Sequence, residues 1–285
     1  MDKNNNLKNR ERQHYYSFAN INLLGKCNAD CYFCLGKDIA EHLNKHDQRK
    51  THFTAWKNFD KFLDICTANY IPYLYITGQN TDSLQYLYLE ELIDYLQQHH
   101  GFNVGIRTNG KFATHHLPTL NKCKRSVGYS IHTLNNDTAV KIMGWPTIPD
   151  WNTLLMETKH SRVSIVVNRY NVNEIFDLIK YISLFNKVSY IQIRRVSTDT
   201  RYDELAQDIR VYEELFQEVL KRDYKRLPDF YGAERFIICN KEVCFWRTVK
   251  TSINSLNYFT DGIWSSEYFV VEGYLKNNEL LKETV

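Results

Sequence analysis

What most restricts the fold of this chain is an alternation. Short apolar runs with strand character occur at residues 15–24, 73–77, 103–107, 126–132, 162–168 and 188–193. Segments of helical character follow them, at 54–70, 87–99, 117–122, 151–160, 173–185 and 202–224. The helical stripes are explicit: Trp56, Phe59, Phe62, Leu63 and Cys66 share one face, as do Ile175, Leu178, Ile179 and Ile182. Thr54 is the expected N-cap of the first of these helices. Alternation of this kind predicts a parallel sheet with right-handed crossovers. Short apolar strands fit burial on both faces. Six units fall short of the eight of a closed α/β barrel, so the expected architecture is an incomplete (β/α)6 TIM-like barrel over residues 14–226. Residues 1–13 are polar and read as a disordered arm, and 36–51 as a hydrophilic surface loop. After Leu227-Pro228 the pattern turns aromatic and strand-like, so 227–285 is expected to form a small C-terminal cap or extension.

Bulk composition excludes more than it assigns. A formal net charge of +3 gives no electrostatic ground for a nucleic-acid or membrane partner. The first residues lack the apolar core of a signal peptide, and no run is long and apolar enough to span a bilayer. Seven cysteines, an odd number, argue against a secreted disulfide scaffold and for a reducing cytoplasm.

Three of those cysteines fall within one short run, Cys27-Asn-Ala-Asp-Cys31-Tyr-Phe-Cys34, directly after the first strand. Active sites of parallel α/β folds lie in the loops that follow the strands. Three thiolates on one loop can hold three irons of a cubic cluster and leave the fourth open. The alternative is a zinc site with His42 or His46 as fourth ligand, although the spacing matches no common zinc module. Cys66 and Cys123 read as core residues, and Cys239 and Cys244 are too few for an all-cysteine second cluster.

The triplet, with Phe33 before its last cysteine and its place after the first strand, resembles the radical S-adenosylmethionine (SAM) enzymes. That resemblance covers about residues 15–200. It implies a 4Fe-4S cluster on Cys27, Cys31 and Cys34, SAM as second cofactor, and a one-electron donor such as flavodoxin or ferredoxin. It further implies a SAM pocket built from strand ends. The second strand ends in Thr77-Gly78-Gln79-Asn80, where family members usually carry Gly-Gly-Glu-Pro; Gly78 is kept, and Asp82 is placed to supply the missing charge. Phe33, Asn109 of the Thr-Asn-Gly turn, Ser130, Asn168 and Arg194 complete the implied cofactor set. His132, at the end of the fourth strand, is the candidate acid/base group or substrate ligand.

The reaction this implies is reductive cleavage of SAM and hydrogen abstraction from a small metabolite or natural-product precursor. Arg107, Arg169, Arg194 and Arg195 near strand ends suit an anionic substrate, with Arg235, Arg247 and Lys250 available from the C-terminal segment. The competing functions are the same chemistry on a peptide or RNA, and a non-catalytic iron–sulfur or zinc-binding protein.

Overall fold

A computed structural model describes residues 17–247, 254–267 and 271–277. The expected arm at 1–13 lies outside the described residues. Strands β1 (Phe18–Leu24), β2 (Tyr73–Gln79), β3 (Asn103–Thr108), β4 (Val127–Ser130), β5 (Ser161–Val166) and β6 (Val188–Arg194) pair in parallel, in chain order. The helices between and after them are α1 (Ala40–Lys45), α2 (Phe59–Ala68), α3 (Leu89–Asp94), α4 (Leu117–Leu120), α5 (Asn136–Met143), α6 (Trp151–Glu157), α7 (Ile175–Ser183) and α8 (Ala206–Lys221).

The C-terminal segment continues this sheet. Strands β7 (Lys225–Phe230), β8 (Ala233–Ile238) and β9 (Lys241–Trp246) form an antiparallel meander, and β9 then pairs in parallel with β6. Strand β10 (Ser255–Phe259) pairs in parallel with β1 and carries the short antiparallel β11 (Trp264–Ser265). The sheet order is β11-β10-β1-β2-β3-β4-β5-β6-β9-β8-β7. Among the described residues its two ends do not pair, so the barrel is incomplete. Among the described residues eight strands are parallel rather than the six read from periodicity, because residues after 227 cover both β1 and β6. Those two would otherwise expose unpaired backbone groups along their edges.

Strands β1 to β6 carry most of their apolar side chains on one face. Ala19, Ile21 and Leu23 of β1, Leu74 and Ile76 of β2, Val163 and Ile165 of β5, and Ile191 and Ile193 of β6 are sealed under the helices. Each such Val, Leu or Ile contributes about 1.5–3 kcal/mol by leaving water. The alternate positions carry Asn20 and Asn22, Tyr75 and Thr77, Arg107, Ser130, Arg162 and Ser164, Gln192 and Arg194. Burial of apolar side chains on both faces is therefore confined to the ends of the sheet, at Leu24 with Phe259 and at Cys244 with Trp246. Period two separates a dry outer face from a more polar inner one, whose convergent polar groups can orient a ligand.

Two local differences have simple causes. Thr54 does not cap α2: His52 accepts from the Thr54 amide in a separate turn, Phe53–Ala55. Helix α2 starts after Asn58, whose φ of 57° breaks the helical path and is tolerated by asparagine. The loop expected at 36–51 contains α1, and α5 was not anticipated. Its signals were present, with Asn135 accepting from the Asp137 and Thr138 amides and Gly144 closing the C-terminus at φ 70°.

Candidate active site

Strand β1 delivers the chain to Gly25, whose φ of 147° and nearness to Asp47 leave no room for a side chain; a Cβ there would lie 2.6 Å from Asp47 Oδ1. The cysteine loop that follows is fastened from several elements. At the C-terminus of α5, the Met143 and Ile142 carbonyls accept from the Asp30 amide at 2.9 Å and the Tyr32 amide at 3.3 Å. Gln85 Oε1 accepts from the Asn28 amide at 3.1 Å, and Trp145 Nε1 donates to the Asn28 carbonyl at 3.0 Å. Arg201 donates from Nη1 to the Tyr32 carbonyl and from Nη2 to the Cys34 carbonyl, both at 2.7 Å. Its Nε donates at 2.7 Å to Asp38, whose side chain is fully buried. Asp38 also accepts from Thr198 Oγ1 and from the Asp199 and Thr200 amides, so one carboxylate gathers the chain after β6 beneath the loop.

Cys27, Cys31 and Cys34 are free thiols, partly buried, and all three line one cleft of about 260 Å³. Burial pushes the Cys27 thiol up to about 12 and also raises Cys31 and Cys34. For Cys31 the next causes are the charges of Cys34 and Cys27, so the three sulfurs feel one another. Such a set is stabilised as thiolates by a cationic group that binds all three. Among the described residues no group of three or more His, Cys, Asp or Glu is placed to hold a single metal ion. His42 and His46 lie against each other with tilted rings, centroids 5.2 Å apart, and both meet Tyr274 edge-on. The three sulfurs around an open cleft thus fit a multi-iron cluster better than a zinc ion with a histidine ligand.

The rest of the cleft comes from the strand ends. Phe33, Thr77, Gly78, Gln79, Asp82, Asn109, Ser130, His132 and Arg194 all line it. Gly78 makes the turn: a Cβ there would sit 2.0 Å from the Thr81 carbonyl oxygen. Gln79 Nε2 donates to Asn22 Oδ1 at 3.3 Å, which leaves Gln79 Oε1 as an acceptor. Asp82 is the N-cap of the turn Ser83–Gln85, accepting from the Leu84 amide at 3.0 Å. It accepts as well from the Asn109 amide at 2.7 Å and from Thr108 Oγ1, and so ties the end of β2 to the end of β3. Burial raises its pKa, and these donors pull it back. Asn109 Nδ2 donates to Asn28 Oδ1 at 2.7 Å and approaches Cys27 Sγ at 3.6 Å, next to a prospective cluster ligand.

Two residues expected at the cofactor are not in the cleft wall. Asn80, at φ 56°, turns away and donates to Asn44 Oδ1 at 2.8 Å and to the Gly25 carbonyl at 3.3 Å. Asn168 is buried in its own turn, where it donates to the Val166 carbonyl and accepts from the Tyr170 amide. Its polar groups are thereby consumed locally. Arg169, read as a candidate for anion binding, is held in an ion pair with the buried carboxylate of Asp208, which also accepts from Tyr32 Oη at 2.7 Å. Arg195 pairs with Glu213, Arg235 with Glu242, and Arg247 with Glu213 and Glu234; Lys250 lies outside the described residues. Cys239 is exposed in the β8–β9 turn, and Cys244 is buried on β9.

His132 stands edge-on to Phe33, with centroids 5.2 Å apart. Its Nδ1 accepts from the Val166 amide at 3.2 Å, so the neutral ring carries its proton on Nε2. Burial holds its pKa down to about 4. At ordinary pH the ring is thus a fixed neutral N–H donor.

No family model matches the sequence, and no curated protein matches it. By structure, the chain is similar to SuiB of Streptococcus suis, solved bound to precursor peptide SuiA, with a TM-score of 0.60 at 14% sequence identity. The match covers 91% of this chain and 62% of SuiB, so the chain spans less than two thirds of the length of that protein. The likeness is one of fold: a mixed α/β chain whose largely parallel sheet forms a partial TIM-like barrel.

Sequence reasoning missed Arg201, Asp38, Gln85 and Arg162. Gln85 had a local signal, the Asp82-x-x-Gln85 capping-box spacing. Arg201 and Asp38 had none, being 163 positions apart along the chain.

Proposed function

We propose that this chain is a radical SAM enzyme acting on a small anionic metabolite or natural-product precursor. The observation that carries the reading is the convergence of three free thiols and the ends of β2, β3 and β4 on one cleft of the partial barrel. A 4Fe-4S cluster with SAM, when bound, supplies one-electron cleavage to a 5′-deoxyadenosyl radical that takes a hydrogen atom from the substrate. Cys27, Cys31 and Cys34 would hold the cluster. The protein's own part is to bind, orient and exclude water. Gln79 Oε1 offers an acceptor to an ammonium group, and the Nε2–H of His132 offers a donor to a ligand. Phe33, buried against His132, keeps one wall of the cleft apolar. Reduction calls for a one-electron donor such as flavodoxin or ferredoxin, and a reducing cytoplasm suits free thiols. Among the described residues no helix is long and apolar enough to cross a membrane.

Anaerobically reconstituted protein is expected to bind about four irons per chain. It should form 5′-deoxyadenosine from SAM only when a reductant is present. Cys31→Ala should lose both properties. Iron-free protein carrying one zinc, or undiminished SAM cleavage by the variant, would refute the assignment. The same chemistry on a peptide is the second reading, favoured by the likeness to SuiB, which was solved with a precursor peptide. Hydrogen–deuterium exchange into 5′-deoxyadenosine from a deuterated peptide, and not from small anions, would favour it.

A further inference from the structure

The polar inner face of the sheet holds, at Arg162, a charge that the cysteine chemistry does not account for. Arg162 is only 5% exposed, yet among the described residues no carboxylate lies within ion-pair distance of it. Its hydrogen-bonding partner is the neutral Gln192, whose Oε1 accepts from Nη1 at 2.6 Å. A guanidinium offers five N–H donors and cannot shed its proton when buried. An uncompensated buried charge of this kind is costly, and a bound anion removes the cost.

The surroundings are shaped for it. Gly128, opposite Arg162 on the neighbouring strand β4, leaves space for the guanidinium; a Cβ there would lie 2.9 Å from both Cζ and Nη2. Arg107 and Arg194 line the same cleft as Arg162. Among the described residues Asp82 is the one carboxylate in that lining, and its oxygens already accept from Leu84, Thr108 and Asn109. Arg162 is the second residue of β5, which runs on to Val166, so its Cα lies about 13 Å below the strand end at a rise of about 3.3 Å per residue. The cysteine loop is at the opposite, upper end.

We propose that Arg162, oriented by Gln192, is an oxyanion subsite that binds a carboxylate or phosphate group of the substrate at the floor of the cleft. The proposal rests on the radical SAM reading for what happens at the rim, and it adds substrate class and orientation: anionic end down, reacting carbon up towards the cysteines.

The test is a calorimetric titration of the reconstituted protein, at fixed ionic strength, with inorganic phosphate and with succinate. Saturable binding is expected in the wild type, weakened at least tenfold in Arg162→Gln and less in Arg162→Lys. Gly128→Ala, which keeps the arginine but crowds it, should also weaken binding, and it carries the test if Arg162→Gln does not fold. Tighter phosphate points to a phosphorylated substrate and tighter succinate to a carboxylate. Saturating SAM should leave the probe affinity unchanged; competition would give the subsite to SAM itself and overturn the proposal. Absence of saturable binding, or equal affinity in Arg162→Gln, would overturn it too. None of these readouts uses SAM turnover, so their failure leaves the iron and 5′-deoxyadenosine measurements standing. Failure of those measurements would in turn sink the functional reading whether or not the anions bind.

Discussion

Replacing Arg201 by glutamine should loosen the cysteine loop before it affects anything else. The guanidinium side chain is 17% exposed and makes three bonds of 2.7 Å, to Asp38 and to the Tyr32 and Cys34 carbonyls. Removing one partner of a buried ion pair costs about 3–5 kcal/mol, because the other charge stays behind. Asp38 would still accept from Thr198 Oγ1 at 2.9 Å, from the Asp199 amide at 2.5 Å and from the Thr200 amide at 3.2 Å. That places the loss near the low end, about 3 kcal/mol. At about 2–4 °C per kcal/mol for a larger domain, Tm should fall by about 6–12 °C. The assay is thermal unfolding of metal-free and reconstituted protein, with iron counted after desalting. Arg201→Gln should retain less than half the iron of the wild type, because two of the carbonyls it holds belong to the cluster loop. Asp38→Asn and the double variant close a mutant cycle, with a coupling above about 1 kcal/mol expected. A Tm within 1 °C of wild type, together with full iron retention, would refute the clamp.

Three other outcomes follow from the same geometry. His132 titrates at about 4 in the folded chain, below its ordinary value of 6.5, so the unfolded state binds the extra proton between these values. Its contribution is fully present above pH 6.5, and about 3 kcal/mol is lost as pH falls to 4; His132→Gln should flatten that part of the wild-type stability profile, and parallel profiles would contradict it. Gly78→Ala should cost at least about 1–3 kcal/mol in urea unfolding, since its Cβ meets a backbone oxygen at 2.0 Å, and an unchanged midpoint would mean that the β2 turn is not tight. Gln85→Leu strips the acceptor from the Asn28 and Asp82 amides, so a loss of about 1–3 kcal/mol and faster bleaching of the cluster in air are expected; a cluster lifetime equal to wild type would show that the Cys27 arm is held without it.

The legible part of this protein is local. Cys27, Cys31 and Cys34 could be found because their spacing along the chain is itself the signal, and β1 to β6 because apolar runs of strand length are visible in a few residues. Ile175, Leu178, Ile179 and Ile182 fall at helical spacing and are all buried. The inner face was harder. Period-two alternation is present in Asn20 and Asn22 or Arg162 and Ser164, but the apolar residues between them make each run read as uniformly apolar. Asn80 and Asn168 lie outside the cleft lining for the reason that makes asparagine common at strand ends: its short amide satisfies nearby polar groups as readily as a ligand.

By itself the sequence determined the alternation of strands and helices, the thiol loop after the first strand, and the polar ends of the strands, since each rests on neighbours within a few residues. Only the tertiary structure decided that residues after 225 complete both edges of the sheet, that Arg201 and Asp38 hold the loop across 163 positions, and that Arg169 is neutralised by Asp208 while Arg162 has no acid beside it. Whether a charge is paired depends on what the fold carries to within 4 Å of it, and spacing along the chain holds no record of that distance.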